Sequence, residues 1–370
     1  YKPAEGSATR SDIAITDPDF KYPSLWKSNI AADYKFGDGW VATIELLYSK
    51  DINAIYHDNI GLYRTEQFVN DGGAGNARPY YNGYYSDREG NQKAANHVVM
   101  LRNTSKGHSL YTTFQLQKNF VDGILKGLYL NGSYSFGQSR GVTDGTSSVA
   151  TSAWKYRAAL DGNAEEVGYT AGSFDGRLLL SASYTANWSK YAATSFGLIY
   201  QRYRPFRYSY CYNGDANGDS QFSNDLMYIP ANFDEVKDHL LPGDFDSQED
   251  AWKAMNAFIE QDPYLSKHRG EYAERNGAVA PFANQLDLSV SHDIKIYQKN
   301  GRSHTLRFSF NIANFLNLLN RNWGVVQTTV LGNQQYQFLT IPKGQGPSAA
   351  NNYTLKYTMA KDLDAVSYTH

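Results

Sequence analysis

The sequence predicts an all-β fold, an antiparallel transmembrane β-barrel, on three observations. Apolar and polar residues alternate over long segments, the connections between these segments are by turns very short and very long, and no apolar run approaches the roughly 18 residues of a membrane-crossing helix. Alternation gives a strand one apolar and one polar face. Because a protein core or lipid can cover the apolar face, the alternation alone does not separate a soluble sheet from a barrel.

Five segments alternate most clearly. In residues 286–296 every even-numbered side chain except His292 is aliphatic, and every odd-numbered one is Asp, Ser or Lys. The segments predicted to be strands on this pattern are 40–56, 128–136, 178–188, 286–296 and 305–312. Residues 103–108 are interpreted as a bulge inside one long strand over about 98–119, because a hairpin there would break the up-and-down order of the strands.

The connections favour the barrel. Short turns are predicted at 36–39, 120–123, around 189–190 and at 298–302, whereas the long polar segments are 64–96, 140–173 and 208–282. An up-and-down chain then has all short turns at one end and all long loops at the other, as in barrels with short periplasmic turns and long extracellular loops. Soluble domains rarely carry connections of that length.

The longest loop is predicted to contain short helices. Residues 232–241 and 248–261 have helical spacing of apolar side chains. In the second segment the apolar residues form a stripe that is expected to pack beneath the loop rather than bind a cofactor: Trp252, Met255, Phe258 and Ile259.

Composition excludes several function classes. A net charge of -2 over 370 residues does not suggest a nucleic-acid partner. The single cysteine, Cys211, cannot form an internal disulfide and is assigned no role. Since no Ser-His-Asp arrangement, zinc-ligand spacing or phosphate-binding glycine loop is evident, the chain is predicted not to be an enzyme and to need no cofactor. The 30 tyrosines suit membrane-interface girdles or recognition surfaces.

One loop segment has the spacing of a calcium site. Oxygen ligands at its first, third and fifth positions can converge on a hard cation, and a further carboxylate follows; the candidate ligands are Asp215, Asn217, Asp219 and Asp225. The match to an EF-hand is imperfect, because Ser220 replaces the sixth-position glycine and Leu226 the twelfth-position glutamate. Structural calcium and a plain Asx-rich turn both remain open.

Other charged residues are expected to play structural roles. A mixed-charge group in the longest loop is expected to form salt bridges and caps: His268, Arg269, Glu271, Glu274 and Arg275. A second group lies on the polar faces of predicted strands, where it would line a lumen or contact a plug: Glu45, Asp51, Asp287, Lys295 and Arg307.

Specific strings resemble a known family. The segments 13–17, 47–56, 144–148, 214–219 with 224–230, 264–277 and 311–324 closely resemble TonB-dependent receptors of the outer membrane of Gram-negative bacteria. The Oar-like branch is the most similar, and SusC-like receptors are more distant. The resemblance implies a plugged barrel in the size class of 22 strands, of which this chain would supply about ten.

The resemblance implies that residues 1–364 are the C-terminal part of such a barrel, with the signal peptide, the plug domain and the TonB-contacting segment outside this sequence. Residues 366–370 are similar to one reading frame of a sequencing adapter and are expected to be read-through; a genuine polar tail is the alternative. The implied partners are outer-membrane lipid, the missing plug and strands, TonB and a surface lipoprotein.

The family's function would be uptake or handling of a bulky substrate, with specificity in the extracellular loops. The tyrosines expected to stack on a ligand are Tyr80, Tyr81, Tyr84 and Tyr85, although an aromatic belt at the membrane interface would explain them equally. A non-transporting outer-membrane barrel (an adhesin, or a secretion- or signalling-linked protein) is the alternative function. A soluble β-rich binding domain is a third, and it requires that other segments cover the apolar face of 178–188.

Overall fold

The computed structural model describes residues 12–73, 77–85, 97–145, 147–297, 303–326 and 335–361, so the segment 366–370 lies outside the described residues. The described chain is mostly β, as the sequence predicts. Its strands are β1 (Ile13–Thr16), β2 (Ser24–Phe36), β3 (Trp40–Asn59), β4 (Leu62–Phe68), β5 (Pro79–Tyr84), β6 (Val98–Thr104), β7 (His108–Asn119), β8 (Leu128–Gly141), β9 (Gly168–Tyr169), β10 (Arg177–Asn187), β11 (Ala192–Tyr203), β12 (Arg207–Asn213), β13 (Tyr228–Ile229), β14 (Leu240–Leu241), β15 (Glu271–Tyr272), β16 (Ala278–Val279), β17 (Ala283–Tyr297), β18 (Ser303–Ile312), β19 (Gln335–Thr340) and β20 (Tyr357–Met359). The helices are α1 (Ala150–Lys155), α2 (Gln248–Gln261) and α3 (Phe315–Leu319), with 3-10 turns at Phe233–Glu235, Leu265–Lys267 and Ala349–Asn351.

Eight long strands lie side by side in one antiparallel sheet. Their order is β2-β3-β7-β8-β10-β11-β17-β18. The pairs β2–β3, β7–β8, β10–β11 and β17–β18 follow each other closely in the chain, whereas long segments join the other neighbours. The short connections therefore share one end of the sheet and the long ones the other. Among the described residues β2 and β18 have no partner on their outer side, so the sheet is open and no closed barrel is present.

The chain continues in one direction through residues 103–108 without a hairpin, as predicted, but the expected bulge is absent. The strands β6 and β7 both pair with β3 in one unbroken register, since Ala54 lies opposite Thr104 and Lys50 opposite His108. Three residues on β3, 51–53, thus match three on the partner, 105–107, and no extra residue is inserted. The interruption at 105–107 is bridged by the Lys50 ammonium, which donates to the carbonyl oxygen of Gly107 at 3.2 Å and to that of Ser105.

The long connections fold together at one end of the sheet. A five-stranded sheet, ordered β14-β20-β19-β12-β16, joins segments that are distant in sequence. We call this assembly, the described residues of 62–85, 142–173, 204–282 and 335–361, the loop cap. The two clusters of buried apolar side chains consist of loop-cap residues together with Val99 of β6. The hydrophobic core of the described chain therefore lies in its loops, and the long strands contribute little to it.

The helix α2 forms where its spacing predicts. Its N-terminus is capped by Ser247, whose hydroxyl accepts a hydrogen bond from the backbone N–H of Asp250 at 3.1 Å. Met255, Phe258 and Ile259 are buried on its inner face. No helix in the described ranges has the length and apolar character needed to cross a membrane.

The helix expected at residues 232–241 is wrong. Only Phe233–Glu235 form a 3-10 turn, which Asn232 caps through its side-chain oxygen. The following Leu240–Leu241 pair instead with β20 as a short strand. Pairing with a segment more than 100 residues away overrides the local helical spacing, and Pro242 would end a helix there in any case.

Candidate functional site

One face of the main sheet is apolar and uncovered in the described structure. Residues directly opposite each other share a face, and Ala182, Leu198 and Leu288 form one such row across three strands. Leu180 and Leu198 are 43% and 42% exposed. Further large apolar side chains exposed on this face are Ile44, Leu46, Leu110, Phe114, Leu116, Phe136, Ile294, Leu306, Phe308 and Phe310. An exposed apolar surface of this extent marks a contact with lipid or protein.

The apolar face is about as tall as the hydrocarbon core of a bilayer, and aromatic rings border it at the short-turn end of the sheet. From Trp40 to Tyr48 the even-numbered residues of β3 are apolar, and these nine residues are about the length that a strand tilted by about 45° needs to cross the bilayer core. Apolar bands of outer-membrane barrels are about 25 Å tall. At the short-turn end Phe36 stacks on Trp40 with ring centroids 6.4 Å apart, and the Lys118 ammonium lies 5.2 Å from the Trp40 ring. Aromatic rings with a lysine beside them are typical of a membrane interface.

The opposite face is a hydrogen-bonded polar surface. Thr113 and Ser135 bond across β7 and β8 at 2.9 Å, and the Gln115 amide donates to Asn131 at 2.7 Å. The Arg307 guanidinium donates twice to Asp293, at 2.6 and 2.8 Å. The predicted polar-face residue Glu45 accepts a bond from Asn29 at 2.7 Å, and Asp287 accepts one from the backbone N–H of Asn314 at 2.7 Å. Such a face suits water or a polar protein partner.

Buried arginines hold the loop cap together, and no local sequence pattern signals most of them. Arg157 donates to the carbonyl oxygens of Val142 and Ala164, both at 3.1 Å, and Arg275 also binds the Val142 carbonyl. Arg207 donates to the Ser173 and Asn276 carbonyl oxygens, both at 3.1 Å, and to the Asp175 carboxylate. Arg207 and Arg275 join the 204–282 segment to residues of 141–173, whereas the bonds of Arg157 lie within 142–173, so the three arginines fix one loop internally and tie it to the next.

Arg78 is the most enclosed of these arginines. Its side chain is fully buried between two carboxylates, with its Nε 2.9 Å from Asp71 and its Nη1 3.2 Å from Asp225. The rings of Tyr212 and Tyr272 lie 5.6 Å from its guanidinium carbon. A charge removed from water in this way is stable only while its partners remain in place.

The four candidate ligand tyrosines do not form one exposed surface. Tyr80, Tyr81 and Tyr84 are buried, and the Tyr81 hydroxyl donates to Asp161 at 2.7 Å. This corrects the expectation for these three, because their rings contribute to the packing of the loop cap and have no surface to offer a ligand. Tyr85 is 47% exposed and meets Tyr63 edge-on at 5.1 Å. Ligand contact stays a prediction for Tyr85.

The candidate calcium loop is closed by its own backbone. Asp215 accepts N–H bonds from Gly218 at 2.6 Å and Ser220 at 2.8 Å, and Asp219 accepts one from Gln221 at 2.8 Å. Asp225 divides its oxygens between Arg78 and the Ala216 N–H. Among the residues described, no group of three or more His, Cys, Asp or Glu is placed to hold a metal ion. These bonds account for an Asx-rich turn, and calcium binding by Asp215, Asn217, Asp219 and Asp225 stays a prediction.

Burial of this loop makes the stability of the loop cap depend on pH. Burial raises the pKa of Asp225 to about 7, and burial together with Asp225 and Asp215 raises the pKa of Asp219 well above its usual value. Because the unfolded value is about 4, the folded loop cap binds more protons than the unfolded chain between about pH 4 and 7. We expect the stabilisation to be complete below about pH 4 and to be lost as the pH rises through about 7. Hydrogen-exchange protection of the loop-cap amides, corrected for intrinsic rates, measures this loss.

The substitution Asp219→Asn isolates the effect. His57 and His97 titrate in the opposite sense, because burial lowers their pKa values, and they are unchanged in the variant. In the variant, the slope of the free energy of unfolding against pH should be smaller than in the parent protein by up to about 1.4 kcal/mol per pH unit. An unchanged slope in the variant would show that the carboxyl of Asp219 is not the source of the pH dependence. If the parent protein binds calcium, its slope should be flat until a chelator is added.

Comparison with known proteins gives a distant structural likeness. No protein-family model and no curated protein sequence matches the chain. Two variants of the FrpB iron transporter from Neisseria meningitidis are similar in structure. The F5-1 variant has a TM-score of 0.31 and 8% sequence identity, and the match covers 79% of this chain and 34% of the transporter chain. The F3-3 variant has a TM-score of 0.27 and 7% sequence identity, and the match covers 78% of this chain and 34% of the transporter chain. This chain thus spans about a third of the transporter chains that it matches.

Proposed function

We propose that the chain is part of the wall and the loops of an outer-membrane β-barrel receptor that takes up or handles a bulky substrate. The intact protein would be a TonB-dependent receptor of the Oar-like branch, energised through TonB. The proposal rests above all on one observation: the long strands expose a continuous apolar face about as tall as a bilayer core, while the packed core lies in the loop cap.

The open sheet supports the same reading. In the part of the chain that the structure describes, the outer edges of β2 and β18 are unpaired, and such backbone N–H and C=O groups would be costly in hydrocarbon, so the proposal requires further strands to close the wall. A soluble domain would cover the apolar face instead. Leu180, Tyr184 and Trp188 lie on that face and are exposed.

The partners follow from the two faces and the loop cap. Lipid covers the apolar face, and a plug domain and further strands of the same barrel cover the polar face and the edges. The loop cap, held by its arginines, presents the substrate surface on the cell exterior, where Tyr85 contacts ligand and a surface lipoprotein can dock. The protein binds and passes substrate and performs no bond chemistry.

Cysteine labelling of intact cells tests the sidedness. Cys211 is buried and burial raises the pKa of its thiol, so the background is low. Phe222→Cys, at a loop-cap side chain that is 70% exposed, should react with a membrane-impermeant maleimide in intact cells. Asp122→Cys, in the β7–β8 turn, should react only after the outer membrane is permeabilised. Equal labelling of both sites in intact cells would refute the proposed orientation.

A further inference from the structure

The turn between β7 and β8 carries apolar side chains beyond the aromatic border of the sheet. Ile124 is 99% exposed, and Val121 and Leu125 are also exposed. A short turn in water normally carries polar residues, because exposed apolar side chains gain nothing there. Phe36, Trp40 and Lys118 border the apolar face at this end. The three turn residues therefore extend the apolar surface beyond that border.

A cleft of 560 Å³ lies beside this turn. Its walls are Phe120, Val121, Lys126 and Gly127 of the turn and Tyr184, Thr185 and Asn187 of β10. The turn is fixed to β10 by the Thr185 N–H, which donates to the Gly127 carbonyl at 3.2 Å. Gly127 has a φ of +90°, and a Cβ there would lie 2.9 Å from the Thr185 carbonyl oxygen. The close approach therefore requires glycine.

The cleft combines a cation, neutral hydrogen-bond donors and apolar walls. On the side of the apolar face Lys126 supplies an exposed ammonium and Tyr184 a hydroxyl, while Phe120 and Val121 supply apolar surface; Thr185 and Asn187 alternate to the opposite face of β10. A phosphate with an attached hydrocarbon chain has the complementary groups. The one carboxylate of the turn, Asp122, is not among the lining residues.

Charge at this end of the sheet favours an anionic ligand. The described turn segments 35–40, 118–127 and 188–191 contain four lysines and two aspartates, although the whole chain has a net charge of -2. The Lys118 ammonium lies 4.6 Å from the Phe120 ring and the Lys190 ammonium 4.8 Å from the Tyr191 ring. Lysines held over aromatic rings at the border of an apolar face lie at the depth of lipid headgroups.

We propose that this cleft is a binding site for an anionic phospholipid of the leaflet at the short-turn side. Lys126 and Tyr184 hold the phosphate, Phe120 and Val121 pack against the first part of an acyl chain, and Ile124 and Leu125 lie in the headgroup layer. The inference rests on the proposed barrel wall and goes beyond it, since it assigns a lipid class to one place on that wall.

Lipid titration of the intact protein tests the site. The purified, delipidated protein in detergent is titrated with phosphatidylglycerol or phosphatidylcholine, and bound lipids are counted by native mass spectrometry. We expect preferential retention of phosphatidylglycerol. Lys126→Gln should weaken that binding about fivefold, since one lysine near an anionic headgroup contributes about that factor. Lys190→Gln removes the same charge outside the cleft and should weaken binding less than Lys126→Gln does, because Lys190 acts only through the surface potential of this end of the sheet.

Two results would overturn the proposal. One is equal retention of the two lipids. The other is an equal loss of phosphatidylglycerol binding in the two lysine variants, which would mean that diffuse surface charge, and not the cleft, attracts the lipid. Failure of the barrel proposal itself is distinguishable. A nitroxide at Leu180 of the vesicle-reconstituted protein remains accessible to oxygen if only the lipid site is wrong, and is inaccessible to oxygen if the apolar face does not contact lipid.

Discussion

Replacing Arg78 with alanine is expected to destabilise the loop cap by about 3–5 kcal/mol, because the change leaves the buried carboxylates of Asp71 and Asp225 without their shared cation. Part of the loss should be recovered near pH 5, since the pKa of Asp225 is already about 7 and protonation removes its charge. Hydrogen exchange of the amides of β12 and β13 in the intact protein measures the change.

Arg64→Ala is the matched control for Arg78. Arg64 also pairs with a loop-cap aspartate, Asp161 at 3.1 Å, but its side chain is 55% exposed. Asp161 is buried, but it keeps the Tyr81 hydroxyl as a donor and water can take the place of the half-exposed Arg64, so Arg64→Ala should cost less than Arg78→Ala. If the two variants lose the same protection, burial of Arg78 is not what holds the loops together.

Replacing Leu180 with arginine is the second large effect that we expect. Leu180 lies on the apolar face of β10, with Gly132 and Tyr200 as its cross-strand partners. Arginine on a lipid-facing strand position costs about 2–4 kcal/mol near the bilayer midplane, which lowers the ratio of folded to unfolded protein by about 30- to 1,000-fold.

Ser181→Arg places the same side chain on the opposite face, one residue further along β10, and should change stability by less than about 1 kcal/mol. Urea unfolding of the intact protein in lipid vesicles measures both variants. Similar losses at the two positions would mean that the two faces of β10 do not differ in environment.

The strands were predictable because their pattern is local. Period-two alternation places Leu180 and Ser181 on opposite faces without any knowledge of their neighbours, and glycine-containing turns mark where β3 and β8 begin. The helix α2 was predictable for the same reason, since its cap and its apolar stripe lie within one short segment.

The loop cap was not predictable, because its contacts are distant in sequence. Arg78 and Asp225 are 147 residues apart, and the Tyr272 hydroxyl donates to Asp71 across 201 residues. Local spacing makes Asp225 a candidate calcium ligand, but it could not show the contacts of its carboxylate with Arg78 and the Ala216 N–H. Aromatic clustering likewise suggested exposure of Tyr81, which burial in the loop cap overrides.

Spin labelling of β10 tests the central claim most directly. Nitroxides are placed singly at Leu180, Ala182, Ser181 and Ser183 of the intact protein in outer-membrane vesicles, and their collision rates with oxygen and with a water-soluble nickel chelate are measured. The lipid-facing account predicts high oxygen access and low chelate access at Leu180 and Ala182, with chelate access or burial at Ser181 and Ser183. Labels at Leu180 and Ala182 that reach the chelate, or that neither reagent reaches, would contradict it.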